Sequence, residues 1–271
     1  MRTSTRKLKS SAEDKSVLLI IIDAGKYSYA SELPFIRDNL QKDPQRYTLL
    51  KCEVGMPTMT TQRISSMMTG SEVFSTTTDM VDAFFSSRVR MDNILSQLRL
   101  HNKSTTIMGD GTWVNLFDFD EEFSCADNYD IWDWDTCDDL IYQHLPSSLH
   151  HQLVVAHFLA LDHIGHATSS LIAPQMSEKK EKISRFINET MQVLPQDMVL
   201  IVTGDHGMRD DGNHGGSSAQ ETETFMFIHS HYAISNRTLR QTDLTSTLAL
   251  LLDVPIPTNS IGIPFIFENV P

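Results

Sequence analysis

Six consecutive aliphatic residues at positions 17–22, VLLIII, leave this chain few ways to fold. A strand with one face in water alternates apolar and polar side chains, so a run without alternation must be buried on both faces. The central strands of a parallel sheet meet that demand, because helices cover both sides. Residues 199–203, VLIVT, form a second run of the same kind. Further strands are expected at 47–54, 105–108, 153–158 and 225–229. Helices are expected at 29–39, 60–69, 92–101, 136–145, 177–194 and 242–252. That alternation predicts an α/β fold of three layers, a mostly parallel central sheet with helices on both faces. The acidic, aromatic stretch from Trp113 to Trp134 reads as a long loop folded onto the body. With 271 residues and 40% hydrophobic content, a single domain is expected over 16–271, after a polar, disordered N-terminus at 1–15.

The formal charge is −13, and ten Asp or Glu without a Lys or Arg lie between Asp118 and Asp139. No basic stripe is available to phosphate backbones, which excludes nucleic acid as a partner. The acidic run reads as a solvated face; its charges and aromatic rings also suit an organic ammonium group. The three cysteines lack zinc-ligand spacing, and Cys125 and Cys137 can bridge in an oxidising compartment. Asn102, Asn188 and Asn236 head glycosylation sequons, which permit a secretory location. No run of 18 apolar residues occurs, so no membrane span is expected, and the N-terminus lacks the apolar core of a secretory signal.

Chemistry concentrates where the expected strands stop. The first run ends at Asp23 and the second at Gly204-Asp205-His206-Gly207, with His214 eight residues after His206. Thr60 opens a helix after Gly55-Met56-Pro57, and Asp162 and His166 lie in LDHIGH after the 153–158 strand. In an open parallel sheet those carboxyl ends share one edge, so residues distant in sequence converge. Asp162 and His166, four apart, share one face if helical. Asp and His donors without cysteine suit zinc or manganese, zinc being the first choice. Three Asp and three His exceed one four-coordinate ion and suit two divalent ions sharing a phosphate. A threonine hydroxyl at a helix N-terminus is a candidate nucleophile or an N-cap, and the residues alone do not choose among Thr58, Thr60 and Thr61.

These segments resemble the alkaline phosphatase superfamily. Residues 17–23, PTMTTQR at 57–63 with Thr69-Gly70, LDHIGH and GDHGM…GNHGG are most similar to the glycosylphosphatidylinositol (GPI) ethanolamine phosphate transferases acting on the second or third mannose. MGDGTWVNLF at 108–117 and DWDTCDDLIYQHL at 133–145 also resemble that family, and the similarity runs from about Val17 to Ser230.

The resemblance implies an alkaline phosphatase-like fold, two zinc ions, and Thr60 as the threonine that carries phosphoethanolamine between phosphatidylethanolamine and a mannose of the GPI precursor. It assigns Asp23, Thr60, Asp205 and His206 to one ion and Asp162, His166 and His214 to the other. It further implies a small membrane-protein partner subunit and the luminal side of the endoplasmic reticulum membrane. The family's membrane spans are not in this sequence, consistent with a luminal domain, a truncated product or a soluble descendant. Gly25 and Gly111 stand where relatives have leucine and an acidic residue. A soluble metal-dependent phosphodiesterase or phosphatase would share all seven site positions, and a non-catalytic module is the remaining alternative.

Overall fold

The computed structural model describes residues 15–72, 88–125 and 130–267. Apart from Lys15, the segment expected to be a disordered N-terminus lies outside them. Two runs of sequence expected as central strands become β1 (Ser16–Ile22) and β6 (Met198–Gly204). With β2 (Tyr47–Glu53), β3 (Thr105–Asp110), β4 (Glu121–Cys125), β5 (Leu153–Phe158), β7 (Glu223–His229) and β9 (Leu239–Arg240) they form one eight-stranded sheet. Its order is β4-β3-β5-β1-β6-β7-β2-β9. β1 pairs in parallel with both β5 and β6, and only β7 runs against the rest. A separate antiparallel ribbon joins β8 (Ala233–Ile234) to β10 (Ile266–Phe267).

The unbroken apolar run of β1 is divided between two cores, as burial on both faces requires. Val17, Leu19 and Ile21 pack under α3 (Thr60–Thr69), α4 (Ile94–Leu100) and α9 (Asp243–Leu251). Leu18, Ile20 and Ile22 pack under α2 (Pro34–Lys42), α6 (Thr136–Ser148) and α8 (Pro174–Val193). Each such side chain contributes about 1.5–3 kcal/mol by leaving water. The three-layer architecture with a mostly parallel sheet is therefore as the sequence predicts.

Two expectations are corrected. The helix expected over 29–39 is split into α1 (Tyr29–Glu32) and α2, because Leu33 precedes Pro34 and takes an extended backbone. The stretch from Trp113 to Trp134 is, in its described part, not simply a loop. Asp110 accepts the Thr112 N–H at 3.2 Å and its hydroxyl at 2.9 Å, capping α5 (Gly111–Leu116), and β4 then adds to β3 as the edge strand. Within the acidic run Asp135 and Asp139 are exposed, at 63% and 60%, and they also pair with Lys179 at 2.6 Å and Lys182 at 2.8 Å on α8. Asp133 accepts the N–H groups of Asp135 and Thr136, and those amides hold its carboxyl below the usual range. Cys137 is disulfide-bonded and Cys52 is a buried free thiol. Among the described residues no helix is long and apolar enough to cross a membrane.

Candidate metal centre

Since β1, β5 and β6 run in parallel, their carboxyl ends meet at one edge, and each delivers a polar residue there. Asp23 continues the ladder of β1, its N–H donating to Phe158 O at 2.9 Å. Gly25 and Gly204 let the turns after β1 and β6 touch: a Cβ on Gly25 would lie 2.8 Å from Gly204 Cα. The close approach leaves no room for a side chain at either position. Asp205 Oδ1 then accepts the N–H of Ala24 at 3.1 Å and of His206 at 2.8 Å. Beyond β5 the chain enters α7 (Ala160–Thr168), whose first turn carries Asp162 and whose next turn carries His166. Asp138 Oδ1 accepts the Leu159 and Ala160 N–H groups at 3.0 and 3.4 Å, anchoring the start of that helix.

Side chains gather into two groups, Asp23 with Asp205 and His206, and Asp162 with His166 and His214. Within each group the potential ligand atoms lie within 4.8 Å of one another. In the first, His206 Nε2 is 3.3 Å from Asp205 Oδ2 and 3.5 Å from Asp23 Oδ1. In the second, Asp162 Oδ2 is 3.4 Å from His166 Nε2, Asp162 Oδ1 is 3.4 Å from His214 Nε2, and the two imidazole nitrogens are 2.9 Å apart. The rings of His206 and His214 stack at 4.1 Å, so the groups adjoin, and the loop 205–216 supplies both.

Hydrogen bonds reveal which ring nitrogen is free. His206 Nδ1 faces Gly207 O at 2.9 Å and His214 Nδ1 faces Thr58 O at 2.7 Å. A carbonyl only accepts, so Nδ1 carries the proton and Nε2 offers a lone pair to the cluster. Asp23 Oδ1, Asp162 Oδ1 and Asp205 Oδ2 are buried without a hydrogen-bond partner among the described residues. Buried carboxylates and lone pairs turned toward one another are unfavourable by themselves, and a divalent cation satisfies them; the donor set fits two such ions. The electrostatics agree. Burial, then Asp205 and Asp162, raise the Asp23 carboxyl well above its usual range, while burial pushes Asp205 up to about 6. Burial, then His214, depresses His206 to about 3.

The three threonines have separate surroundings. Thr58 is buried, its hydroxyl accepting from Gly215 N and donating to Gly216 O, both at 2.9 Å. Thr60, first residue of α3, turns Oγ1 toward the first group, 3.4 Å from Asp23 Oδ2 and 3.3 Å from His206 Nε2. No such approach involves Thr61. Arg63 is fully buried, its Nη1 donating to Glu72 Oε2 at 3.3 Å, and burial lowers its pKa. Sequence reasoning missed His157, in β5, 3.5 Å from Asp23 Oδ2. The signal was present: one histidine interrupts an otherwise apolar buried strand, LVVAHF.

Residues 83–217 match the family model described as Type I phosphodiesterase / nucleotide pyrophosphatase. GPI ethanolamine phosphate transferase 3 of Saccharomyces cerevisiae is 33% identical over 88% of this chain and 25% of its own length. This chain spans about a quarter of the length of the first curated relatives it matches. Its fold is shared by an alkaline phosphatase superfamily protein of Vibrio parahaemolyticus, at TM-score 0.63, 14% identity, 94% of this chain and 70% of the other. It is shared too by the soluble domain of lipooligosaccharide phosphoethanolamine transferase A of Neisseria meningitidis, at TM-score 0.63, 12% identity, 93% of this chain and 92% of the other.

Proposed function

We propose, for a chain that is a homologue of the GPI ethanolamine phosphate transferases 2 and 3 and carries an alkaline phosphatase-like domain, that it transfers phosphoethanolamine from phosphatidylethanolamine to a mannose of the GPI precursor. The observation that carries this reading is the Thr60 hydroxyl at the start of α3, within 3.4 Å of Asp23 and His206. Asp23, Thr60, Asp205 and His206 would hold one ion and Asp162, His166 and His214 the other. When bound, the ions, zinc by preference, would lower the pKa of the hydroxyl and neutralise charge on the phosphoryl oxygens.

Thr60 Oγ1 forms a bond to phosphorus as the bond to the diacylglycerol oxygen breaks, and the departing oxygen takes up the proton lost by Thr60. A mannose hydroxyl then attacks the phosphoethanolamine-Thr60 intermediate, and Thr60 recovers its proton. Two in-line displacements give net retention at phosphorus. The first N–H groups of α3 have no acceptor within the helix, and that of Thr61 is available to a phosphoryl oxygen. The disulfide at Cys137 suits the oxidising lumen of the endoplasmic reticulum. There it would work with a small membrane-protein partner subunit.

The test is a product assay with phosphatidylethanolamine in detergent, with and without a mannoside, alongside metal analysis. About two ions per chain, a phosphoethanolamine adduct on Thr60, and mannoside-dependent turnover support the reading. Water as sole acceptor makes the protein a hydrolase, and an adduct that persists in Thr60→Ala refutes the nucleophile.

A further inference from the structure

We propose that His157 is a positioning residue: held as an Nε2–H donor by Trp113, it orients the Asp23 carboxylate for the first ion and is itself kept from becoming a ligand. This rests on the reading of Asp23 as a metal ligand. His157 is fully buried in β5, opposite Ile21 of β1 and so beside the end of that strand. Trp113 Nε1 lies 3.2 Å from His157 Nδ1. An indole nitrogen only donates, so Nδ1 must accept, and a neutral His157 then carries its proton on Nε2. That nitrogen stands 3.5 Å from Asp23 Oδ2 and is buried without a formed hydrogen bond among the described residues, so its proton is left to the Asp23 carboxylate beside it. His206 and His214 have the opposite polarity, with Nδ1 bonded to a carbonyl and Nε2 free. Of these three imidazoles near the clusters, His157 alone presents a proton.

The support for this arrangement comes from β3 and α5. Gly109 makes room for the pair, since a Cβ there would lie 3.0 Å from Trp113 Nε1 and 3.2 Å from His157 Cβ. The Asp110 cap sets the start of the helix that carries Trp113. The chain of contacts runs Asp110, Trp113, His157, Asp23. Asp23 Oδ2 accepts from Thr60 and has His157 Nε2 beside it at 3.5 Å, while Asp23 Oδ1, which lacks a partner, faces His206. Partners of this kind fix the orientation of metal-binding carboxylates, and their loss costs roughly 10- to 100-fold in metal affinity.

The experiment compares zinc affinity and stoichiometry, by chelator competition, in wild type, His157→Leu, His157→Gln and Trp113→Phe, with circular dichroism as the folding control. His157→Leu should weaken one of two ions by roughly 10- to 100-fold, the same ion that Asp205→Ala lacks, and leave the other unchanged. A glutamine amide can place an N–H near the position of Nε2, so His157→Gln should recover most of that affinity. Nitrogen-15 NMR of the wild type should find His157 as the Nε2–H tautomer, with Trp113→Phe giving a mixture. A wild-type Nδ1–H tautomer overturns the proposal even if His157→Leu does not fold. So do wild-type affinity in a folded His157→Leu and a His157→Gln no tighter than leucine. A wild type that fails to bind two ions sinks the underlying two-ion reading as well, whereas two ions held equally by wild type and His157→Leu sink this proposal alone.

Discussion

The two groups of ligand side chains share one edge of the sheet but are held in different ways. Asp23, Asp205 and His206 follow directly from adjacent central strands, with exposures of 3%, 0% and 0%. Asp162 and His166 ride on α7, His214 sits far along a loop, and the side chains of His166 and His214 are 27% and 13% exposed. Strand ends fix a ligand through the sheet's own hydrogen bonds, and they also exclude the water that would otherwise compensate its charge. The first group is therefore the more rigid and the more dependent on a cation. An ion held by the second would exchange with solvent at smaller cost.

The largest expected effect comes from Asp205→Ala, which should remove the first ion and lower transfer by on the order of a thousandfold or more, since such an ion supplies several kcal/mol of charge stabilisation. His166→Ala should cost less in the same activity and metal assays; an equal or greater loss breaks the distinction between the groups. Next comes Gly25→Ala. Its Cβ would meet Ile22 O at 2.7 Å as well as Gly204 Cα, and the overpacking should cost about 1–3 kcal/mol by urea unfolding and disturb the first group selectively.

Metal removal sharpens the comparison further. Chelation should release metal in two phases, the less buried group first, followed by time-resolved metal analysis. In the metal-free protein burial raises Asp205 to about 6. Its contribution to stability is then full below the ordinary carboxylate range and is lost as pH rises through about 6. With the ion bound, the carboxylate form is favoured instead. The melting-temperature gain on adding zinc should therefore widen between about pH 5 and about pH 7; a gap that narrows contradicts the assignment of Asp205. Asp138→Ala acts on the other side, through α7. It removes the acceptor of two buried N–H groups and should cost about 1–2 kcal/mol, loosening the second ion but not the first. The smallest effect is expected from Asp135→Asn. It breaks a pair with Lys179 and should leave discrimination between ethanolamine and choline head groups unchanged, because that carboxylate is engaged with α8.

Much of this was legible in the residues themselves. An apolar run without alternation reads as a strand buried twice over, and β1 is followed at once by Asp23 and β6 by Asp205. The helix Thr60–Thr69 was bounded by Pro57 and by Gly70, whose positive φ of 72° closes it. By contrast, α5 was missed although Asp110-Gly111-Thr112 is a capping sequence, because the surrounding acidic and aromatic composition resembled a loop. Sequence pattern also had no means of pairing Asp135 and Asp139 with lysines some forty residues away on another helix.

By itself, then, the sequence determined the layered α/β architecture, the edge at which chemistry gathers, and the residue types available there, since burial and periodicity are local properties of the chain. Which threonine hydroxyl meets Asp23 and His206, and which ring nitrogen each histidine offers, were decided only in the tertiary structure. So was the presence of His157 behind Asp23. Hydrogen-bond polarity depends on partners brought from α5, the segment before α3 and the loop after β6, and no spacing along the chain records which atom of one side chain will face which atom of another.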